Sequence, residues 1–145
     1  MAKPNVYSAM TAIYSRLNTD LVATYAKSVW SGHVAPGNMP TASDKPIVVI
    51  AYTFERDPTF TTDDGWLNFD VWIFQHVDAT PGDRATVVSR VIGDGSTYGL
   101  LRWTPTISGI GTNPIEPAGQ EADGPYDDQH VAVVVPFRVY LAEGS

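Results

Sequence analysis

The stretch HVAVVVPFRVYL, residues 130–141, decides the fold of this chain. Its apolar side chains recur at every second position, which places them on one face of an extended strand. They are Val131, Val133, Val135, Phe137, Val139 and Leu141. A strand with one uniformly apolar face lies on a hydrophobic core. Because Pro136 has no N–H to donate, the strand is predicted to be an edge or to carry a bulge there.

Two more strands are predicted upstream, over residues 46–56 and 66–76. The second alternates over its first half, with Asp70 on its polar side, and becomes apolar on both faces at Trp72. The connecting segment DPTFTTDDG suits a hairpin loop, so the two strands are predicted to pair antiparallel. A further strand is predicted over residues 103–110.

The N-terminal region predicts an amphipathic helix followed by a loop. Apolar residues at helical spacing run over residues 6–17, and Asn5 is a candidate N-cap. Asp20 is predicted to cap a separate short turn. Residues 31–45 are rich in Gly, Pro and Ser, which indicates a connecting loop.

A second helix is predicted over residues 81–92. Thr80 followed by Pro81 is typical of a helix start, and Gly93 suits its end. The apolar stripe that would face the core comprises Ala85, Val88, Val91 and Ile92.

The order helix, strand, strand, helix, strand, strand predicts one α+β domain over residues 1–145, a length that suits a single core. We expect a mostly antiparallel sheet with two helices packed on one face. Residues 111–129 show no convincing element, and a loop of that length is usually functional or partly disordered.

The composition excludes several classes of function. The net charge of −7 is uneven, with +2 in residues 1–56 and −9 in residues 57–145, and no two Lys or Arg residues are adjacent. So acidic a chain repels nucleic-acid phosphates. No apolar run approaches the roughly 20 residues of a membrane span, so no membrane partner is expected. The absence of Cys rules out disulfides and thiolate chemistry.

No catalytic, cofactor-binding or metal-binding residues are predicted. His33, His76 and His130 do not have the local spacing of metal ligands. The acidic cluster of Asp57, Asp63 and Asp64 lacks a calcium-loop frame and suits a solvated hairpin tip. An enzyme built on these carboxylates with His76 remains an alternative.

The segment 111–129 carries five acids and no Lys or Arg. The acids are Glu116, Glu121, Asp123, Asp127 and Asp128. One interpretation is a solvated mobile loop. The other is an arm that orders against a neighbouring subunit, or a surface that must not adhere to what passes it.

The order of the predicted elements and the kinds of residue in them, over nearly the whole chain, resemble the phage tail-terminator family. The resemblance covers AIYSRLNTDLVATY, then VWSGHVAPGNMPTASDKPIVVIAY, the aromatic strand FDVWIFQH, the helix beginning at Pro81 and the closing strand HVAVVVPFRVYL. It departs from the family in the long segment 111–129 and in Pro136.

The resemblance implies a virion protein of the tail and neck, made in the host cytoplasm, with no enzymatic activity or cofactor. It implies a ring, a hexamer, that caps the tail tube and contacts the tube protein and a neck or connector protein. DNA would pass through the lumen without specific binding, and the five acids would line the lumen or its rim, or form a contact arm.

A sheet that is apolar on both faces needs a second cover, which a neighbouring subunit would supply. Four tryptophans are candidate contact residues at strand edges: Trp30, Trp66, Trp72 and Trp103. Two alternatives stay open beside the terminator. One is a stopper or other neck protein of the same junction, and the other is a monomeric α+β domain that binds a small ligand between the sheet and the helices.

Overall fold

The computed structural model describes residues 6–32, 34, 36–56, 64–107 and 110–143. Within them, seven strands form one sheet in the order β1-β2-β3-β7-β4, with β5 and β6 also paired to β7. The elements are α1 (Val6–Leu21), β1 (Ser28–Ser31), β2 (Ile47–Arg56), β3 (Gly65–His76), α2 (Pro81–Ile92), β4 (Ile110–Thr112), β5 (Glu116–Pro117), β6 (Ala122–Pro125) and β7 (His130–Glu143). The α+β prediction is confirmed.

Helix α1 extends one turn beyond its predicted end at residue 17. Asp20 therefore does not cap a separate turn but lies in the last turn of α1. An acid there opposes the helix dipole, and Arg90 of α2 compensates by pairing with it. The predicted cap Asn5 lies outside the described residues.

The predicted hairpin of β2 and β3 is confirmed, with antiparallel pairing from Ile47↔Phe74 to Arg56↔Gly65. Strand β1 was not predicted, and it pairs parallel to β2. With four residues, β1 is too short for an alternation of apolar residues to be recognised in the sequence. The loop that follows it contains a single 3₁₀ turn, Pro36–Asn38.

Strand β7 lies inside the sheet, so the edge prediction at Pro136 is wrong. It pairs with β3 over twelve consecutive positions, from Gly65↔Leu141 to His76↔His130. Its other side pairs with β4, β5 and β6. Pro136 falls where that second ladder is interrupted between β5 and β6, and its carbonyl accepts the Ala118 N–H at 3.1 Å. The missing N–H is thus accommodated by a gap in the neighbouring strand.

The prediction that residues 111–129 contain no element is also wrong. The segment runs antiparallel along β7 as three short strands. Its Pro and Gly content hides a strand pattern, because the pairing depends on the backbone of β7 and not on local propensity.

The strand predicted over residues 103–110 is not present over 103–106, and residues 108–109 lie outside the described residues. Trp103 instead donates its N–H to Leu100 O at 3.1 Å and accepts from Ile115 N at 2.9 Å. Pro105 has no N–H to donate to a ladder. The first strand of this region is therefore β4.

Helix α2 has the predicted bounds, but its buried stripe is different. The fully buried residues are Val87 and Val91, whereas Ala85 is exposed. Gly93 ends the helix at φ +75°, and a Cβ there would lie 2.2 Å from Tyr98 O. The turn that follows is closed by Asp94, whose pKa is lowered to about 2 by the backbone N–H groups of Ser96, Tyr98 and Thr97.

One large core joins the helices to the sheet. Buried residues of α1 and α2 belong to the same apolar cluster as alternate side chains of β2, β3 and β7. We call the sheet face that carries those strand residues the core face. Phe69 and Phe137 face each other in register on it, with ring centroids 5.5 Å apart.

Candidate interaction surface

The opposite face of the sheet, the second face, has its own apolar cluster. Ile47, Val49, Phe74 and Ala132 are buried there, with Trp30, Val34, Met39 and Trp72 partly buried around them. The strand register explains this grouping, because Trp30, Val49 and Trp72 are consecutive partners across β1, β2 and β3. The second apolar face predicted for residues 72 and 74 is thus present and extends over four strands, β1, β2, β3 and β7.

An aromatic group marks the open part of the second face. Trp72 and Phe74 stack with centroids 5.8 Å apart, and Tyr126 meets Phe74 edge-on at 4.7 Å. Tyr126 itself is 54% exposed. A cavity of about 210 Å³ lies here, lined by Gly32, Val34, Val49, Ala51, Trp72, Phe74 and Tyr126. This surface can bind an apolar group from outside the chain.

The four candidate tryptophans are all partly buried and lie at different places. Trp30 and Trp72 belong to the apolar cluster of the second face. Trp66 lies further along that face, 5.2 Å from the ring of Tyr140. Trp103 packs against the main core, with the Arg16 guanidinium 4.5 Å from its ring. The structure therefore brings two of the four together.

Between the aromatic group and Trp66, the second face is polar. Asn68 and Asp70 of β3 lie opposite Thr53 and Ala51 of β2, and all four line a small cavity. Burial raises the pKa of the Asp70 carboxyl above its ordinary value. No ion pair or hydrogen bond to this carboxyl is present among the described residues. An apolar aromatic area and an unpaired acid are thus adjacent.

Three of the five acids of segment 111–129 have structural partners. Glu116 accepts from Arg138 at 2.5 Å across the β5–β7 ladder. Asp123 accepts from Arg84 of α2 at 3.3 Å, and Arg84 also donates to the buried Gln75 at 3.0 Å. These contacts attach the segment to the rest of the fold. A mobile loop would lack such contacts.

Asp127 forms a local cap at the start of β7. Its Oδ1 accepts the backbone N–H groups of Gln129 and His130, both at 2.8 Å. The buried His130 ring places Nδ1 2.9 Å from that oxygen and Nε2 2.9 Å from Pro40 O. The imidazole therefore joins the 36–40 loop to the acidic segment.

Glu121 and Asp128 are the remaining two acids. Both are exposed, and within the part of the chain that the structure describes neither has a hydrogen bond or an ion pair. They are the free acidic surface of this segment.

Asp127 should make stability depend on pH. The Gln129 N–H and then His130 hold the pKa of Asp127 below its ordinary value. Its contribution is therefore complete above that ordinary value, about 3.9, and is lost as the pH falls below it. In urea denaturation, Asp127→Asn should be less stable than the parent at pH 7, and the difference should shrink at pH 3. Asp128→Asn is the matched control, and equal losses in the two variants would contradict the cap.

Asp64 and His76, two of the four residues of the enzyme alternative, lie far apart. Asp64 precedes the first residue of β3 and His76 is its last. At roughly 3.3 Å per residue the strand separates them by about 40 Å. His76 Nδ1 instead accepts the Asp78 N–H at 3.1 Å, a local turn contact. His33, Asp57 and Asp63 lie outside the described residues.

Sequence spacing missed that His76 and His130 are neighbours. They are register partners in β3 and β7, with ring centroids 5.6 Å apart. Only the strand pairing brings together residues so distant in sequence. No three His, Asp or Glu residues in the described ranges are placed to hold a metal ion.

No protein-family model matches the chain, and no curated protein matches it. None of the described helices is long and apolar enough to cross a membrane.

Proposed function

We propose that this chain is a non-enzymatic structural protein of the phage head–tail junction. It assembles as a ring, a hexamer, that caps the tail tube and joins it to the neck. Its partners are further copies of itself, the tail tube protein and a neck or connector protein. It acts by binding alone and uses no cofactor.

The observation that carries the proposal is the aromatic surface of the second face. Trp72, Phe74 and Tyr126 surround a cavity there, on the side of the sheet opposite the main core. Large aromatic side chains supply much of the energy of protein interfaces. A second subunit, or the end of the tube, would bury them.

The acidic segment suits a passage for DNA. Duplex DNA carries about one negative charge per 1.7 Å, so a basic lumen would retain it. Glu121 and Asp128 are exposed acids without partners in the described residues. We propose that the segment 111–129 lies at the lumen or its rim, with these two acids repelling the DNA that passes.

Small-ligand binding by a monomer is the second candidate, because the cavity at Trp72 is mostly apolar. Sites for small ligands are concave and predominantly apolar, but their volumes are usually about 300 Å³ or more. The cavity at Trp72, about 210 Å³, lies below that range. A second cavity of about 580 Å³, between α1 and the strands β1 and β2, lies within it and is lined by Met10, Tyr14 and Tyr52 among others. A stable monomer whose melting temperature rises with a ligand would favour this candidate over the ring.

The proposal is tested by deletion and complementation in the phage that carries the gene. Loss of the protein should give tails without heads, or tails of uncontrolled length, in electron micrographs. The unaltered gene supplied in trans should restore joined particles. Infectious particles of normal length without the protein would refute the function.

The same complementation tests the place of the acidic segment. Glu121→Lys combined with Asp128→Lys should still give joined particles, because neither acid has a structural partner. DNA ejection should be slower than in the parent, most clearly at low salt, where charge interactions are least screened. Glu55→Lys, an exposed acid of β2, is the matched control. Lost joining with normal ejection would show that the segment is a contact arm instead.

A further inference from the structure

Asp70 is a partly buried acid that no described residue of the subunit pairs with. It lies near the middle of β3, and its register partners are Ala51 and Pro136, whose side chains have no hydrogen-bond donor. Burial alone raises its pKa, and its carboxyl has no hydrogen bond or ion pair within the described residues. An unpaired carboxylate in such a place destabilises the isolated subunit. Sites that lower stability in this way are often sites of function.

The structure describes seven Lys and Arg side chains, and most of them are engaged within the subunit. Five have acceptors within the subunit: Arg16, Lys27, Arg84, Arg90 and Arg138. Lys45 and Arg102 are exposed and have none. Among the described cations, these two are the candidates for a partner of Asp70 that comes from a second copy.

Arg102 has an unusual backbone conformation, and its backbone is anchored next to the main core. Its φ is +67°, and no other non-glycine residue in the described ranges has a positive φ. Its N–H donates to Ile115 O at 2.8 Å, and Leu100, two residues before it, is fully buried in the main core. Backbone strain of this kind is concentrated at functional sites, where it fixes the direction of a side chain.

We infer that Arg102 of one copy binds Asp70 of the next copy, an inference that rests on the proposed ring. Asp70 lies on the second face, whereas the segment of Arg102 packs against the main core. A contact between two different surfaces is head-to-tail, and such contacts close into rings when the rotation permits.

Two features favour Arg102 over Lys45. A guanidinium forms two parallel hydrogen bonds to a carboxylate and is more weakly hydrated than an ammonium, so it suits an interface. Trp72 is two residues from Asp70 on the same side of β3, and its indole offers a cation–π contact beside the acid. The ion pair would then sit at the border of the aromatic surface that the ring buries.

Cross-linking tests the contact directly, because the chain contains no Cys. Asp70→Cys and Arg102→Cys are made in separate chains, mixed, and treated with a short bis-maleimide, alone and in the presence of tail tubes. A covalent dimer of the two variants is expected. Asp70→Cys mixed with Lys45→Cys is the control and should give only background. Equal yields in the two mixtures would overturn the inference.

A charge exchange provides the second measurement. Asp70→Arg and Arg102→Asp should each weaken the affinity of self-association roughly 10- to 100-fold. The chain that carries both substitutions should recover most of the parent's affinity. Lys45→Glu should change the affinity of self-association little. Single variants that assemble like the parent would refute the contact.

The stability of the subunit gives a third readout. Asp70→Asn should raise the melting temperature of the monomer at pH 7 while it weakens assembly. A lowered melting temperature would show that Asp70 has a structural role instead.

These outcomes separate the two proposals. If the parent forms rings or caps tubes and the Asp70 and Arg102 variants do so equally well, the contact is wrong and the proposed function stands. If particles form normally without the protein, the proposed function fails. The cross-linking result still decides whether copies of the chain meet at these residues.

Discussion

Replacing Phe137 by alanine is expected to lower the free energy of unfolding by about 3–5 kcal/mol. Phe137 is 2% exposed and stacks on Phe69, which is 1% exposed, at the centre of the β3–β7 pairing. The loss combines the transfer free energy of the ring with the cavity that it leaves in a core joined to both helices. The total free energy of unfolding of a domain is only about 5–15 kcal/mol, so the variant should unfold at a far lower temperature than the parent.

Chemical denaturation at pH 7 measures this effect. Val134→Ala on the second face is the matched control, because it removes apolar volume from the same strand at a partly exposed position. The expected loss in free energy of unfolding for Val134→Ala is well under half that for Phe137→Ala. Similar losses in the two variants would contradict the assignment of the main core to the other face of β7.

Replacing Arg90 by alanine is expected to destabilise the fold by about 2–3 kcal/mol, below the value for a fully buried pair. Both Nε and Nη2 of Arg90 donate to the Asp20 carboxylate, the first at 3.1 Å. The guanidinium also lies 3.4 Å from the centre of the Tyr98 ring and 4.8 Å from that of Tyr25. Its removal leaves the Asp20 carboxylate unpaired, with a side chain only 16% exposed, at the C-terminal end of α1.

A double-mutant cycle with Asp20→Ala isolates the pair energy, which we expect to exceed about 1 kcal/mol. The exposed pair Arg138–Glu116 is the control. Its side chains are 45% and 43% exposed, so Glu116→Ala should cost less than about 1 kcal/mol. If the two pairs have equal coupling energies, burial does not set their strength and the prediction is wrong.

These expectations bear on assembly, because α1, α2 and β7 support the surfaces that the ring would use. Loss of the Arg90 contact loosens the end of α2, next to the turn that carries Arg102. Loss of Phe137 loosens β7 beside Asp70. Variants at these two positions should therefore weaken assembly only as far as they unfold the subunit, whereas Asp70 and Arg102 variants should weaken it in a folded one.

The amino-acid sequence by itself determined the long regular elements. The alternation in residues 130–141 predicts β7, and the start and stop signals around residues 81–92 predict the bounds of α2. Such patterns are local, since they depend on side-chain period and on backbone chemistry within a few residues. The antiparallel hairpin of β2 and β3 follows equally from their proximity in the chain.

Only the tertiary structure decided where the remaining residues act. Strands β1, β4, β5 and β6 are two to four residues long, and each exists because a longer strand offers backbone partners. Contacts between distant segments also decide the pairing of Asp20 with Arg90 and the neighbouring rings of His76 and His130. They likewise decide that Asp70 has no partner among the described residues. A residue's type indicates what it can bind, but its partner is set by the packing of the whole chain. For the acidic segment, that packing engages three of the five acids and leaves Glu121 and Asp128 without a partner among the described residues.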